Sequence, residues 1–183
     1  MEESTDLDSS VRAAVLELQS RDFPNPEVLL LLGTGVDETS APLSEPTEVS
    51  LSDLPEVPRA WRDAQLIAGR SGDVRVWACT DAPESDATPW ARAWPIWLAR
   101  ASGAGSCLIT AAGSALAQAT PPPPEEGYLL VEDHLFLEGA SPLRGLASSC
   151  LGPLFPDHGS GHDHSLRRDL LLEAARIGLN CAE

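Results

Sequence analysis

Apolar positions follow two rhythms along this chain. From 7 to 18, Leu7, Val11, Ala14, Val15 and Leu18 recur at steps of three and four, which places them on one face of a helix. Asp8, Ser9 or Ser10 is available to cap it. Phe23-Pro24-Asn25-Pro26 breaks the pattern, and 27–32, carrying Leu29-Leu30-Leu31-Leu32, reads as a strand buried on both faces. The stretch 36–62 is acidic and rich in Pro and Ser and reads mainly as loop, with Leu51 and Leu54 pinning it to the body. A second strand is expected over 74–79, a polar turn over 81–88, and a helix over 89–100. In that helix Trp90, Trp94 and Trp97 share one face, either a core face or a subunit contact. A third strand over 106–110 is followed by a Pro-rich linker across 117–127, stiffened by the prolines at 121–124, and a fourth strand over 128–132. A last helix runs from 164 to 177, with Asp163 as cap and Gly178 as stop. Strands alternating with helices predict α/β architecture: a layered fold with a central mixed, largely parallel sheet flanked by helices.

Length and composition narrow this picture. The 183 residues suit a single domain spanning 1–183, and 43% apolar with 22% charged residues is the balance of a folded protein. The amino terminus, Met1-Glu2-Glu3-Ser4, lacks the basic start and apolar stretch of a secretory signal, and no run approaches a membrane span, so a cytoplasmic location and no membrane partner are expected. Cys79, Cys107, Cys150 and Cys181 lie far apart with no CxxC pair, the pattern of reduced, buried thiols rather than a zinc or disulfide framework. The net charge of −16 would repel a nucleic-acid backbone, so no nucleic-acid partner is expected. All 12 basic residues are arginine, and without lysine neither Schiff-base chemistry nor a Walker-type phosphate lysine is open to the chain.

Candidate chemistry sits where two apolar runs end in tiny residues. Leu29 to Leu32 leads into Gly33-Thr34-Gly35, and Cys107-Leu108-Ile109-Thr110 leads into Ala111-Ala112-Gly113-Ser114. Small residues let backbone N–H groups approach an anion closely, and open α/β sheets bind ligands at the carboxyl ends of their strands. Gly33-Thr34-Gly35 is no dinucleotide fingerprint, since the third glycine is missing and Asp37 and Glu38 follow. No Gly-x-Ser-x-Gly hydrolase elbow occurs. The segment 157–164 holds three of the four histidines, His158, His162 and His164, in a glycine-rich loop that offers metal-ligand spacing or simply a polar helix cap; no metal is assigned.

Taken in order, these turns resemble the trimeric class of purine nucleoside phosphorylases. That family's Gly-Ser-Gly phosphate turn is similar to Gly33-Thr34-Gly35, where threonine keeps the hydroxyl. Its Asn-Ala-Ala-Gly-Gly turn is similar to Thr110-Ala111-Ala112-Gly113-Ser114. Its Asp-His-Ile-Asn and Asn-Pro-Leu-Arg-Gly segments are similar to Asp133-His134-Leu135-Phe136 and Ser141-Pro142-Leu143-Arg144-Gly145, and its Arg-Phe-Pro segment to Phe155-Pro156-Asp157. The resemblance implies phosphate binding by Gly33, Thr34, Gly35 and Ala111 and nucleoside binding by Ala112 and Gly113. It implies no cofactor beyond inorganic phosphate as co-substrate, and a reaction that cleaves purine nucleosides to base and ribose 1-phosphate. The implied partners are a purine nucleoside and phosphate, with assembly as a homo-oligomer or with a full-length phosphorylase.

Departures from the family pattern are large. The family's Gly-His-Ala-Gly-Arg loop would fall near 62–69, where no histidine stands, and its Arg-Phe-His motif near Ala82-Pro83-Glu84. Ala82 would replace a phosphate-binding arginine and Glu84 would add repulsion. The sequence ends at Glu183, and the family's purine-holding residues come from a later third, so the chain is expected to be carboxyl-terminally shortened with phosphorolysis weak or lost. Catalytic residues are unassigned, and Arg59, Arg70 or Arg144 would be the replacement phosphate ligands of an active enzyme.

Overall fold

The computed structural model describes residues 6–33, 36, 43–80, 89–114, 127–135, 137, 141–144, 146 and 161–182. These fall into two compact units, one built from 1–112 with 140–154 and one from 113–139 with 155–183.

The first unit is organised by a five-stranded mixed sheet in the order β2-β3-β4-β1-β5. Its strands are β1 (Val28–Leu32), β2 (Ser44–Ser50), β3 (Gln65–Ser71), β4 (Val74–Thr80) and β5 (Ser106–Ile109). β1 is an interior strand and runs parallel to both its neighbours, β4 and β5, with Leu29 opposite Trp77 on one side and Cys107 on the other. Leu29, Leu31 and Leu32 are buried while Leu30 is half-buried, so the four-leucine run is close to the two-sided burial expected of a central parallel strand.

Two strands correct the sequence reading. β2 falls inside the stretch expected to be loop, and β3 begins at Gln65 and takes up most of 62–69, where the family resemblance implied a loop. β2 is legible only in three dimensions: Val49 is its one buried residue, it carries Pro46, and its register shifts between Ser44 and Thr47 with Glu45 at φ +53°. Proline is tolerated there because β2 is an edge strand. β3 joins β4 through Gly72-Asp73, with Gly72 at φ +59° at the first central position, where a type II′ hairpin turn favours glycine. As expected, Leu51 and Leu54 anchor the connection from β2 to β3, both being buried in the core.

Helix α1 (Leu7–Ser20) buries Leu7, Val11, Ala14 and Leu18 in the core. Its cap is Asp6 rather than Asp8, Ser9 or Ser10: the Asp6 carboxylate accepts the Ser9 N–H at 2.8 Å. Ser10 is instead buried and polar, and it is the hub of a buried bond chain. Trp94 Nε1 donates to Ser10 Oγ at 2.8 Å, and Ser10 Oγ donates to the Glu56 carbonyl at 2.7 Å. The segment 89–100 is a 3₁₀ turn over Pro89–Ala93 running into α2 (Trp94–Ala101), with Pro95 in the first turn, where its missing N–H costs nothing. Trp90 and Trp94 are core residues, which decides their shared face in favour of packing. Trp61 and Trp77 are buried too, and each indole N–H finds a carbonyl, of Ala91 at 2.6 Å and of Pro24 at 2.7 Å.

The second unit contains β6 (Tyr128–Leu129), α3 (His164–Ile177) and β7 (Cys181–Ala182), with β6 and β7 paired in parallel. β6 is shorter than the expected 128–132. α3 matches its expected limits: the Asp163 carboxylate accepts the Leu166 N–H at 2.8 Å, and Gly178 closes the helix in the left-handed region at φ +73°. The polar turn over 81–88, the prolines at 121–124 and Cys150 lie outside the described residues. Among the described residues no disulfide forms: Cys79 is buried, and Cys107 and Cys181 are half-buried.

Candidate functional site

Because β4, β1 and β5 are parallel, their carboxyl ends reach the same edge of the sheet, with Leu32 opposite Thr80 and Leu31 opposite Ile109. The two tiny-residue turns begin there. Gly33 leaves β1 and Thr110-Ala111-Ala112 leaves β5, which is where an open α/β sheet takes its ligand.

The two turns are fastened to each other. The Gly33 N–H donates to Thr110 Oγ1 at 2.9 Å, and the Thr110 N–H donates to the Leu31 carbonyl at 2.9 Å. A Cβ on Gly33 would lie 2.3 Å from the Thr110 carbonyl oxygen and 3.1 Å from the Ala111 Cα. Glycine is therefore required at 33 by the close approach of the neighbouring backbone, and its own amide is already committed to a hydroxyl. The Gly33 carbonyl accepts the Val36 N–H at 3.2 Å. Ala111 and Ala112 are exposed beside this junction. On β5, burial pushes the Cys107 thiol above its ordinary range, leaving it protonated and a poor nucleophile at neutral pH.

Of the expected site residues, Gly33, Ala111 and Ala112 are thus brought to one sheet edge within the first unit. Gly113 opens the second unit, and a Cβ there would meet nothing within 4 Å. Thr34 and Gly35 lie outside the described residues, as do Asp37, Glu38, Ala82 and Glu84. Thr110, which is not among the expected ligand residues, supplies the hydroxyl that joins the two turns, and its position at the head of the second turn is the signal for it in the sequence. Arg70 is at the wrong end of the sheet: β3 runs antiparallel to β4, so Arg70 pairs with Arg75 at the amino end of β4, and its guanidinium donates to the Asp73 carbonyl at 2.9 Å. Arg59 lies in the β2–β3 connection, which leaves the sheet at the same edge as the two turns, and is exposed. Arg144 is exposed in a turn closed by its own N–H to the Ser141 carbonyl at 3.0 Å.

Comparison with solved structures identifies the architecture. A purine nucleoside phosphorylase from Schistosoma mansoni in complex with a monocyclic inhibitor superposes with a TM-score of 0.82 at 18% identity, over 96% of this chain and 67% of that one. The fold is that of a purine nucleoside phosphorylase. The Schistosoma mansoni enzyme with adenosine gives a TM-score of 0.81 at 18% identity over 95% of this chain and 63% of that one. The Schistosoma enzyme with hypoxanthine gives 0.78 at 19% identity over 96% and 64%. The chain thus spans about two thirds of the length of these phosphorylase chains. No protein-family model matches it, and no curated protein does. The purine nucleoside phosphorylase fold agrees with the resemblance carried by the ordered turns and with the layered α/β architecture they implied.

Proposed function

We propose that this protein uses a purine nucleoside phosphorylase fold to hold a purine nucleoside and phosphate with little or no phosphorolysis. The observation that carries this reading is the junction of Gly33 with Thr110 at the carboxyl ends of β1 and β5. It supports a ligand cradle at this edge of the sheet, one in which an amide is already consumed. Phosphate at this edge would draw on the Thr34 hydroxyl and on the amides near Gly35 and Ala111. It would lack the arginine fork that the family motif supplies, since Ala82 and Glu84 stand in that segment. Each lost charge-assisted hydrogen bond is worth about 1.5–3 kcal/mol, a deficit that weighs on phosphate bound for attack on the anomeric carbon.

Protein released into the cytoplasm fits this reading. Among the described residues no helix is long and apolar enough to cross a membrane. A second reading, a non-catalytic structural or regulatory partner of a full-length phosphorylase, is favoured by the exposed side chains of Leu135 and Leu137, 88% and 89% accessible. Trp90 and Trp94 would not serve that contact, being buried.

Calorimetric titration with phosphate, followed by inosine or guanosine in its presence, tests the proposal alongside an inosine phosphorolysis assay. Saturable binding of both ligands, with turnover no greater than that of a Thr34→Ala variant, is the expected result. Turnover clearly above that variant restores a working enzyme, and binding of neither ligand leaves the partner reading, to be checked by co-purification with a full-length phosphorylase.

A further inference from the structure

The second unit brings together two histidines that the sequence separates by 28 positions. His134 Nδ1 lies 3.3 Å from His162 Nε2, with ring centroids 5.5 Å apart and the rings nearly perpendicular at 82°. The backbone around each is held. Asp133 Oδ1 accepts the His134 N–H at 2.8 Å, Asp163 caps α3 immediately after His162, and Arg167 on the first turns of α3 reaches Glu132 at 3.4 Å.

We propose that His134 and His162 form a two-histidine site for a divalent late transition ion of the zinc, nickel and copper group. Zinc–nitrogen bonds of about 2.0–2.1 Å at a tetrahedral angle place two ligand nitrogens about 3.3–3.4 Å apart, the separation already present here. Imidazole is the ligand these ions share. In the metal-free protein the facing nitrogens form a hydrogen bond, so one carries a proton. Ligation moves that proton through solvent to the far nitrogen of the same ring, and both rings tilt so that their lone pairs converge on the ion. This tautomer shift releases no proton overall, and His134, being exposed, has room to make the tilt. Glu132, Asp133 and Asp163 flank the pair and favour a cation, with Arg167 offsetting one charge. Among the described residues no group of three or more His, Cys, Asp or Glu is arranged to hold an ion, so water fills the remaining positions. The ion would fasten the loop after β6 to the start of α3, in a unit whose described residues include one buried side chain, Ala174. A ligand that binds only the folded state stabilises it by mass action.

The test is calorimetric titration of the full chain with Zn²⁺ and, separately, Ni²⁺, with circular dichroism to confirm that each variant is folded. One ion per chain is expected. Loss of an orienting partner costs about 10–100-fold in metal affinity, so loss of a ligand itself in His134→Ala or His162→Ala should weaken binding by at least about 100-fold. His158→Ala and His164→Ala should bind like the parent. Absence of saturable binding, or binding that survives in folded His134→Ala and His162→Ala, overturns the proposal.

Discussion

Thr110 presses its carbonyl so close to Gly33 that position 33 tolerates only hydrogen, and its hydroxyl takes the Gly33 amide. Gly33→Ala should destabilise the protein by about 1–3 kcal/mol through overpacking, read as a lower urea midpoint with an unchanged slope. Thr110→Val keeps the shape but leaves the buried Gly33 N–H without its acceptor, at a cost of about 1–3 kcal/mol, and Thr110→Ser should recover most of it. The motif alone identified both residues as small and turn-forming. Which hydroxyl meets which amide depends on the parallel pairing of β1 with β5, which brings together residues 77 positions apart. Cys107 carries a second prediction at this scale. Burial raises its folded value above that of the unfolded thiol, so the native state keeps its proton to higher pH. Its contribution to stability is full below the unfolded thiol's value and is lost as pH rises through the folded value. Alkylation by iodoacetamide should therefore be slow at pH 8 and keep accelerating above the pH at which a free thiol levels off, followed by mass spectrometry of the Cys107 peptide.

Elements were legible in proportion to how much of their own sequence they bury. α1 and α3 carry helical spacing, a cap and, for α3, a glycine stop, so local chemistry marked their limits to within a residue or two. β1 announced itself as an apolar run. β2 did not, because an edge strand with one buried residue has no alternation to read, and β3 was hidden by a family expectation although Ser71-Gly72-Asp73-Val74 carries a hairpin signal. Packing between elements was less legible still. Ser10 sits at a capping distance from the start of α1, yet its hydroxyl accepts the indole N–H of Trp94 on α2 and donates to Glu56. Ser10→Ala strands a buried indole N–H and should cost about 1–3 kcal/mol in denaturant unfolding. Trp94→Phe in the same background should recover part of that loss, because it removes the stranded donor, and a double-mutant cycle measures the coupling.

At the scale of the whole molecule, the two units differ in what holds them. The first wraps α1, α2 and four buried tryptophans around a five-stranded sheet. The described part of the second pairs two short strands and one helix, with Tyr128, Leu129, Val131, Leu172 and Ile177 exposed. Hydrogen exchange should reflect this: amides of β1, β3 and β4 are expected to be protected longest, and those of β6, β7 and α3 to exchange sooner, an order that mass spectrometry on the intact chain can check. By itself the sequence determined the α/β class, both long helices, the interior strand β1 and the ordered small-residue turns, because each is written in local spacing, capping or apolar runs. Only the tertiary structure decided that β2 and β3 extend the sheet, that the tryptophans pack inward, that Thr110 fastens the two turns and that His134 meets His162. Those outcomes depend on strand order and on contacts between residues far apart in the chain, and no local pattern encodes which distant partner a hydrogen-bonding group or a strand edge will find.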